Sequence, residues 1–294
     1  MSTILHARSE SPLAWNSPAS ITPSCIAEAA ERSLIDEVGT WPKPGLVSTV
    51  DSGSHSDMDA AMFHRSAVAL RPFFARLADA GARGQGMDAL RRIGISAERA
   101  MEAATGGVNT HRGAIFGLGL LSAAAGMRGA RSVGLHHSLG DTVLMRWGHD
   151  ILAGPRLADS HGETVKRRYG AGGARQEAAE GFPAVYRIGL PALRAGLTLA
   201  KGDRQAARVH CCFSLIAELE DTNLLHRGGE EGLRFAQCSA QEFIDRGGVG
   251  QENWIVTAQQ IHRQFVERRL SPGGAADLLA MTLFVDEIEQ GGHR

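Results

Sequence analysis

The run Ala114-Ile115-Phe116-Gly117-Leu118-Gly119-Leu120-Leu121-Ser122-Ala123-Ala124-Ala125 constrains the fold more than any other stretch of this chain. Its apolar and small residues fall on every face of a helical wheel rather than on one stripe, which is the pattern of a helix surrounded by protein. Directly ahead of it stands Gly106-Gly107-Val108-Asn109-Thr110-His111-Arg112-Gly113. That places an amide, a hydroxyl, an imidazole and a guanidinium at the start of a buried helix. Free N–H groups and the helix dipole favour an anion there. The segment is a candidate phosphate site, with Asn109, Thr110, His111 and Arg112 as its polar members; a glycine C-cap followed by an Asn or Thr N-cap is the plainer alternative.

Helical spacing recurs along the rest of the chain. Thr22 followed by Pro23 reads as a cap and first helical position, and Ile26, Ala30, Leu34 and Val38 continue at helical intervals. Trp41-Pro42-Lys43-Pro44-Gly45 ends that helix. Further patterns cover roughly 58–80, 88–104, 112–127, 132–152, 159–168, 204–226, 230–246, 252–270 and 274–290. Alternation of apolar and polar residues is nearly absent, so an all-α, single globular multi-helix domain is expected. A flexible N-terminal arm is expected over 1–21 and the helical catalytic domain over 22–294. The active cleft would be formed by glycine-rich helix starts and junctions.

Charge and cysteine content narrow the function. A formal net charge of -1 gives no global pull toward nucleic acid or an anionic membrane. Cys25, Cys211, Cys212 and Cys238 show no CxxC spacing, which reads as reduced thiols and a cytoplasmic protein. No apolar run is long enough to span a bilayer, and residues 1–20 lack a secretory pattern.

Four further clusters carry chemistry. His55, Asp57 and Asp59 in HSDMD can converge on a divalent cation, with Mg²⁺ suited to hard oxygen ligands; alternatively Asp57 or Ser56 caps the helix near Met58. Glu218, Thr222 and His226 share a face if one helix runs through them, with Asp221 beside them and Arg227-Gly228-Gly229 following. Ser271 reads as a cap before Pro272-Gly273-Gly274, with Asp277 inside the apolar helix that follows. The basic, glycine-rich stretch from His161 to Pro183, with Lys166-Arg167-Arg168, is either a phosphate cradle or a solvent loop. No P-loop, kinase set or strand-linked GxGxxG occurs, so the commonest phosphoryl-transfer solutions are absent.

In this order PKPGLV, HSDMD, GVNTHRGAIF, the spaced HGE, YG and GFP elements, EDTNLLHRGG and SPGGAADLLA resemble the triphosphoribosyl-dephospho-CoA synthase family over roughly residues 25–290. HSDMDAAMFHRSA is more similar to the malonate decarboxylase branch than to the citrate lyase branch. The resemblance implies a transferase joining ATP to 3′-dephospho-CoA, with adenine released. The product is the precursor of an acyl carrier protein's prosthetic group. On that reading Asp221 or Asp57 is the base, and Asp57, Asp59 and Asp277 help hold Mg²⁺ on the triphosphate. His111 and His226 are further catalytic candidates. Lys43, Arg112, Arg227 and the glycine pairs Gly228-Gly229 and Gly273-Gly274 bind phosphate oxygens, while Asn109, Thr110 and His111 contact the ribose or protonate adenine. A Mg²⁺-dependent ADP-ribose-type hydrolase and a non-catalytic helical scaffold are the competing expectations.

Overall fold

The computed structural model describes residues 21–134, 136–155 and 172–290. All of the expected arm (1–21) except Ile21, and the pattern over 159–168 with Lys166-Arg167-Arg168 and His161, lie outside the described residues. Eleven α-helices and no strand occur among those described, giving a single globular all-α fold. They are α1 (Pro23–Val38), α2 (Ala60–Ala82), α3 (Met87–Thr105), α4 (Arg112–Gly129), α5 (Leu139–Ala153) and α6 (Gly173–Ala179), followed by α7 (Leu190–Leu199), α8 (Arg204–Glu218), α9 (Thr222–Asp245), α10 (Trp254–Glu267) and α11 (Gly273–Glu289). A π-helical turn, Val185–Gly189, leads into α7.

The apolar run forms α4, the hub of the molecule. It packs against α1, α2, α3, α5, α6 and α11, and every one of its residues from Leu118 to Met127 is buried. Its closest neighbour is α2, and two glycines set that approach. A Cβ at Gly81 would overlap the carbonyl oxygen of Ala123, and one at Gly126 would overlap that of Ala78. Small residues therefore let the two backbones touch where larger ones would hold helices roughly 8–10 Å apart.

The helix starts follow local chemistry. Thr22 Oγ1 accepts the Cys25 amide with Pro23 at the first helical position, as the sequence indicates, and Ile26, Ala30, Leu34 and Val38 face the core. Asp59, rather than Ser56 or Asp57, caps α2 by accepting the Met62 amide at 2.7 Å. Ser138 and Asp141 form a capping box, so α5 begins at Leu139 instead of near 132.

Several sequence expectations are corrected here. The chain breaks between Glu218 and Thr222, where Asp221 caps a new helix. Glu218 and His226 thus lie on different helices, and the shared face expected for Glu218, Thr222 and His226 does not form. Gly228-Gly229, by contrast, is a helix junction as the spacing expects: Gly229 takes non-helical torsions (φ 61°, ψ -162°), so α9 is two helices joined across a kink there. Ser271 is not a side-chain cap. Pro272 occupies the cap position of α11, and the Ser271 hydroxyl meets His55 Nε2 at 2.9 Å. The helices α6 and α7 fall in a region the spacing left without helix. Its glycines and prolines hide them, since Pro191 sits in the first turn of α7, where proline is tolerated.

Candidate active site

One cavity of about 630 Å³ opens where the starts of α4, α6, α9 and α11 meet the loop before α2. That volume is within the usual range for small-molecule and cofactor sites. It gathers the polar ends of four helices beside apolar walls, so each carboxylate in it needs a specific accounting.

Asp221 is buried and bonded on both oxygens. Its Oδ1 accepts the amides of Asn223 (2.8 Å) and Leu224 (3.2 Å), capping α9, and its Oδ2 accepts the Ala275 amide at 3.0 Å in the first turn of α11. One side chain thereby closes two helix starts. Burial pushes its carboxyl above the usual range, opposed by these main-chain bonds.

Asp277 does the equivalent at α4. Its carboxylate accepts the Ala114 amide and occupies the space a side chain at Gly113 would need: a Cβ there would lie 3.0 Å from Asp277 Cγ and closer to Oδ2. Burial, with the nearby carboxylates of Glu37 and Asp221, holds Asp277 well above the usual carboxylate range. The anion position expected at the start of α4 is thus filled by the protein's own Asp277.

Glu37, on α1, is the third acid at the cavity and was not singled out by the sequence. It is ion-paired with Lys43, whose side chain is completely buried. Burial raises the Glu37 carboxyl, and the lysine beside it lowers it. Lys43 does not line the cavity. Its charge is committed to Glu37, in place of the phosphate contact expected from PKPGLV. Glu177, also lining the cavity, accepts the Ala184 amide at 2.7 Å.

His111 lines the cavity and is 3 % exposed. Its Nδ1 lies 2.7 Å from Ser66 Oγ, and Thr110 Oγ1 donates to that same hydroxyl at 2.9 Å. Burial, and to a lesser degree Lys43, lowers its pKa to about 3, so the ring is neutral. Nε2 is buried with no hydrogen-bond partner among the described residues. Phe63 packs edge-on to the ring at 4.9 Å. Asn109 Oδ1 accepts the Arg112 amide at 3.1 Å, an N-terminal closure of α4.

The two arginines at the rim differ. Arg112 is paired with Glu98 (3.2 Å) and Glu102 (3.1 Å). Arg227 instead donates to the carbonyls of Ser54 (3.4 Å) and Arg269 (3.2 Å) and approaches His55 Nδ1 at 3.3 Å. Burial first, then Arg227, keeps His55 below its usual pKa.

Other expected residues stand apart. Asp57, Asp59 and His226 are exposed, and none lines the cavity. Gly228 packs against Leu270, where a Cβ would come within 2.6 Å of Cδ2. Gly228 and Gly229 thus serve the packing and kink of α9 instead of the cavity wall. Gly273 and Gly274 do line it, pressed against Asn223 and Asp221. From the glycine-rich stretch, Gly172, Gly173 and Glu177 line the cavity. Arg175 turns away to bind four carbonyls at the end of α5, those of Ile151, Leu152, Gly154 and Pro155.

No group of three or more His, Cys, Asp or Glu side chains converges as a metal site among the described residues. Asp57 and Asp59 do not join Asp277, and Asp59 is spent as a cap. The residues present do not fit a magnesium ion caged by these three aspartates. All four cysteines are free thiols. No helix among the described residues is long and apolar enough to cross a membrane.

An all-helical protein with one acid-lined, arginine-rimmed cavity of cofactor size is the class that fold and site define. Residues 23–294 match the sequence model of the CitG family, ATP:dephospho-CoA triphosphoribosyl transferase. The chain is 42 % identical over 270 residues to the "probable 2-(5''-triphosphoribosyl)-3'-dephosphocoenzyme-A synthase" of Stutzerimonas stutzeri, covering 90 % of this chain and 91 % of the relative. A protein of the same name from Acinetobacter calcoaceticus is 39 % identical over 262 residues, covering 88 % and 89 %. Another from Azotobacter vinelandii is 42 % identical over 269 residues, covering 90 % and 91 %. No solved structure matches. The chain belongs to the ATP:dephospho-CoA triphosphoribosyl transferase family, and the enzyme that family and these relatives name is triphosphoribosyl-dephospho-CoA synthase.

Proposed function

We propose that this chain transfers the triphosphoribosyl group of ATP to the ribose 2′-hydroxyl of 3′-dephospho-CoA in the cavity at the start of α4. The C1′–N9 bond of ATP breaks and adenine leaves with the bonding electrons. The C1′–O2′ bond forms, and the proton lost by the 2′-hydroxyl is balanced by the one adenine gains. The triphosphate stays on the transferred ribose. Such a displacement builds positive charge on C1′, so a carboxylate facing the ribose stabilises it and a basic group is needed for the hydroxyl proton.

The observation that carries this reading is the state of Asp277. Its carboxyl lines the cavity, accepts a main-chain bond from Ala114 and is made more basic than an ordinary aspartate by burial and two neighbouring acids. Asp221, the first expectation for the base, has both oxygens engaged by helix amides, and Asp57 lies outside the cavity. Asp277 is therefore the better-suited proton acceptor, with Asp221 fixing the helix start that carries it. Arg227, held by carbonyls and an imidazole instead of a carboxylate, suits the triphosphate. Magnesium enters this reading only as the counter-ion that ATP brings, and no step is assigned to it.

The resemblance of His55–Ala67 to the malonate decarboxylase branch supports that enzyme's acyl carrier protein as the destination of the product. The four free thiols suit a cytoplasmic setting. Deleting the coding sequence from its host should leave the malonate decarboxylase carrier without its prosthetic group by intact-protein mass.

The direct test is incubation with ATP and Mg²⁺, with and without 3′-dephospho-CoA. Adenine release that requires dephospho-CoA, with a product carrying the mass of both substrates less adenine, is the expected result. Equal release without dephospho-CoA would make the protein a hydrolase.

A further inference from the structure

Within the reading of this cavity as the ATP site, one buried atom has no assigned work. His111 Nε2 is shielded from solvent and bonded to nothing among the described residues. Leaving a buried polar atom unpaired costs about 1–3 kcal/mol, so a ligand atom is the natural partner for one whose ring lines a cavity.

The hydroxyls around the ring decide what kind of partner. Thr110 Oγ1 donates its proton to Ser66 Oγ at 2.9 Å, and Ser66 Oγ stands 2.7 Å from His111 Nδ1. Thr110 Oγ1 also stands 3.3 Å from Nδ1, so two hydroxyls able to donate face that nitrogen and none faces Nε2. In the tautomer where Nδ1 accepts from them, the single proton of the neutral imidazole resides on Nε2. In that tautomer the orphaned atom is a donor. Ser66 lies on α2 and is fully buried, so this relay is held by the core rather than by a mobile surface group.

The surroundings select the ligand's chemistry. Phe63 is edge-on to the ring, and Phe116, Leu278 and Met281 line the same cavity. A neutral donor among apolar walls suits a flat heteroaromatic ring with an unprotonated nitrogen. A triphosphate would gain more from the charged rim at Arg227.

We propose that His111 Nε2–H donates a hydrogen bond to a ring nitrogen of adenine, N3 or N7, and that Ser66 is the positioning residue that fixes the imidazole tautomer for it. The bond strengthens as electrons move onto adenine during departure, so His111 assists the leaving group as a neutral donor without supplying a proton. This rests on the assignment of the cavity to ATP.

The test is a substrate–mutation cycle using ATP, 3-deaza-ATP and 7-deaza-ATP with the full-length wild type, His111→Ala and Ser66→Ala. Both kcat/KM for adenine-type release and the equilibrium Kd of each nucleotide are read. Intrinsic differences in glycosidic reactivity among the analogues cancel in the cycle. With wild type, one analogue should lose about tenfold beyond its loss with His111→Ala, the size of one hydrogen bond. Ser66→Ala should share that reduced discrimination, and Ser66→Thr, which keeps the hydroxyl, should recover it. Fully additive losses for both analogues, in variants whose melting shows them folded, would overturn the proposal. So would coupling to the exocyclic amine read with purine ribonucleoside triphosphate. If wild type bound the nucleotides with this coupling in Kd yet released no adenine, the transfer reading would fall and the hydrogen bond would stand.

Discussion

The carboxylate of Asp277 occupies the space in front of Gly113 that any other residue would fill with its side chain. α11 and α4 thus meet at a point where one helix supplies an acid and the other supplies an open helix start. Replacing Gly113 by Ala should push that carboxylate aside, costing about 1–3 kcal/mol of stability as an overpacked contact. It should also lower kcat sharply while leaving every polar group of the cavity in the sequence. Thermal melting and steady-state adenine release measure the two effects.

Asp277→Asn separates activity from stability. As the proposed base, Asp277 should account for about 10²- to 10⁴-fold in kcat. Its effect on stability should have the opposite sign. The folded-state pKa lies above the ordinary carboxylate value, so the group's contribution to stability is fully present below the unfolded pKa and is lost as pH rises through the folded pKa. Asparagine carries no such penalty. The variant should melt above wild type at about pH 8, with the gap shrinking toward about pH 4, where both side chains are neutral. A melting temperature below wild type throughout would contradict the burial of an unfavourable charge there.

Asp221→Ala addresses a different task. Removing this side chain strips the caps from two helices at once, α9 through Asn223 and Leu224, and α11 through Ala275. At about 1 kcal/mol or more per cap, about 2–4 kcal/mol of stability should be lost. Denaturant unfolding should show the loss, and activity should fall with it because α11 carries Asp277.

The contrast between these aspartates marks how far the sequence could be read. All-α architecture, the buried α4 and the Thr22-Pro23 start follow from local rules, and the structure agrees. Thr110, His111, Arg112, Arg227, Asp221, Asp277 and Gly273-Gly274 do meet at one cavity. What failed was partner choice across long sequence separations. Helix starts that looked like phosphate sites are closed by Asp221 and Asp277 from elsewhere in the fold, and no spacing rule reveals a carboxylate 54 residues from its amide. Lys43 looked free because Glu37 lies on the preceding helix, a polar residue unremarkable in an amphipathic pattern. The break at Glu220-Asp221 was also hidden, since Leu219 and Leu224 keep the apolar rhythm on both sides of it.

The buried pair of Lys43 and Glu37 yields a further prediction. Lys43→Met should leave Glu37 as an unpaired acid in the core and cost about 3–5 kcal/mol. Adding Glu37→Gln should restore much of that stability, because the charge needing compensation is gone. Chemical denaturation of the two single variants and the double variant closes the cycle. Additive losses would mean that the two side chains do not depend on each other.

Arg227 and Arg112 give the sharpest contrast at the rim. Arg112 is already matched by Glu98 and Glu102, so an incoming triphosphate would have to compete with two carboxylates for it. Arg227 is bonded to carbonyls and to His55, with no carboxylate within 4.0 Å of it among the described residues. Charge-assisted bonds to phosphate run to about 1.5–3 kcal/mol, so Arg227→Ala should raise the KM for ATP by about tenfold or more. Arg112→Ala should change it far less. Ionic strength provides a second readout: the wild-type KM for ATP should rise with salt, and Arg227→Ala should flatten that dependence. The reverse ranking of the two variants would move the triphosphate to the Arg112 side of the cavity.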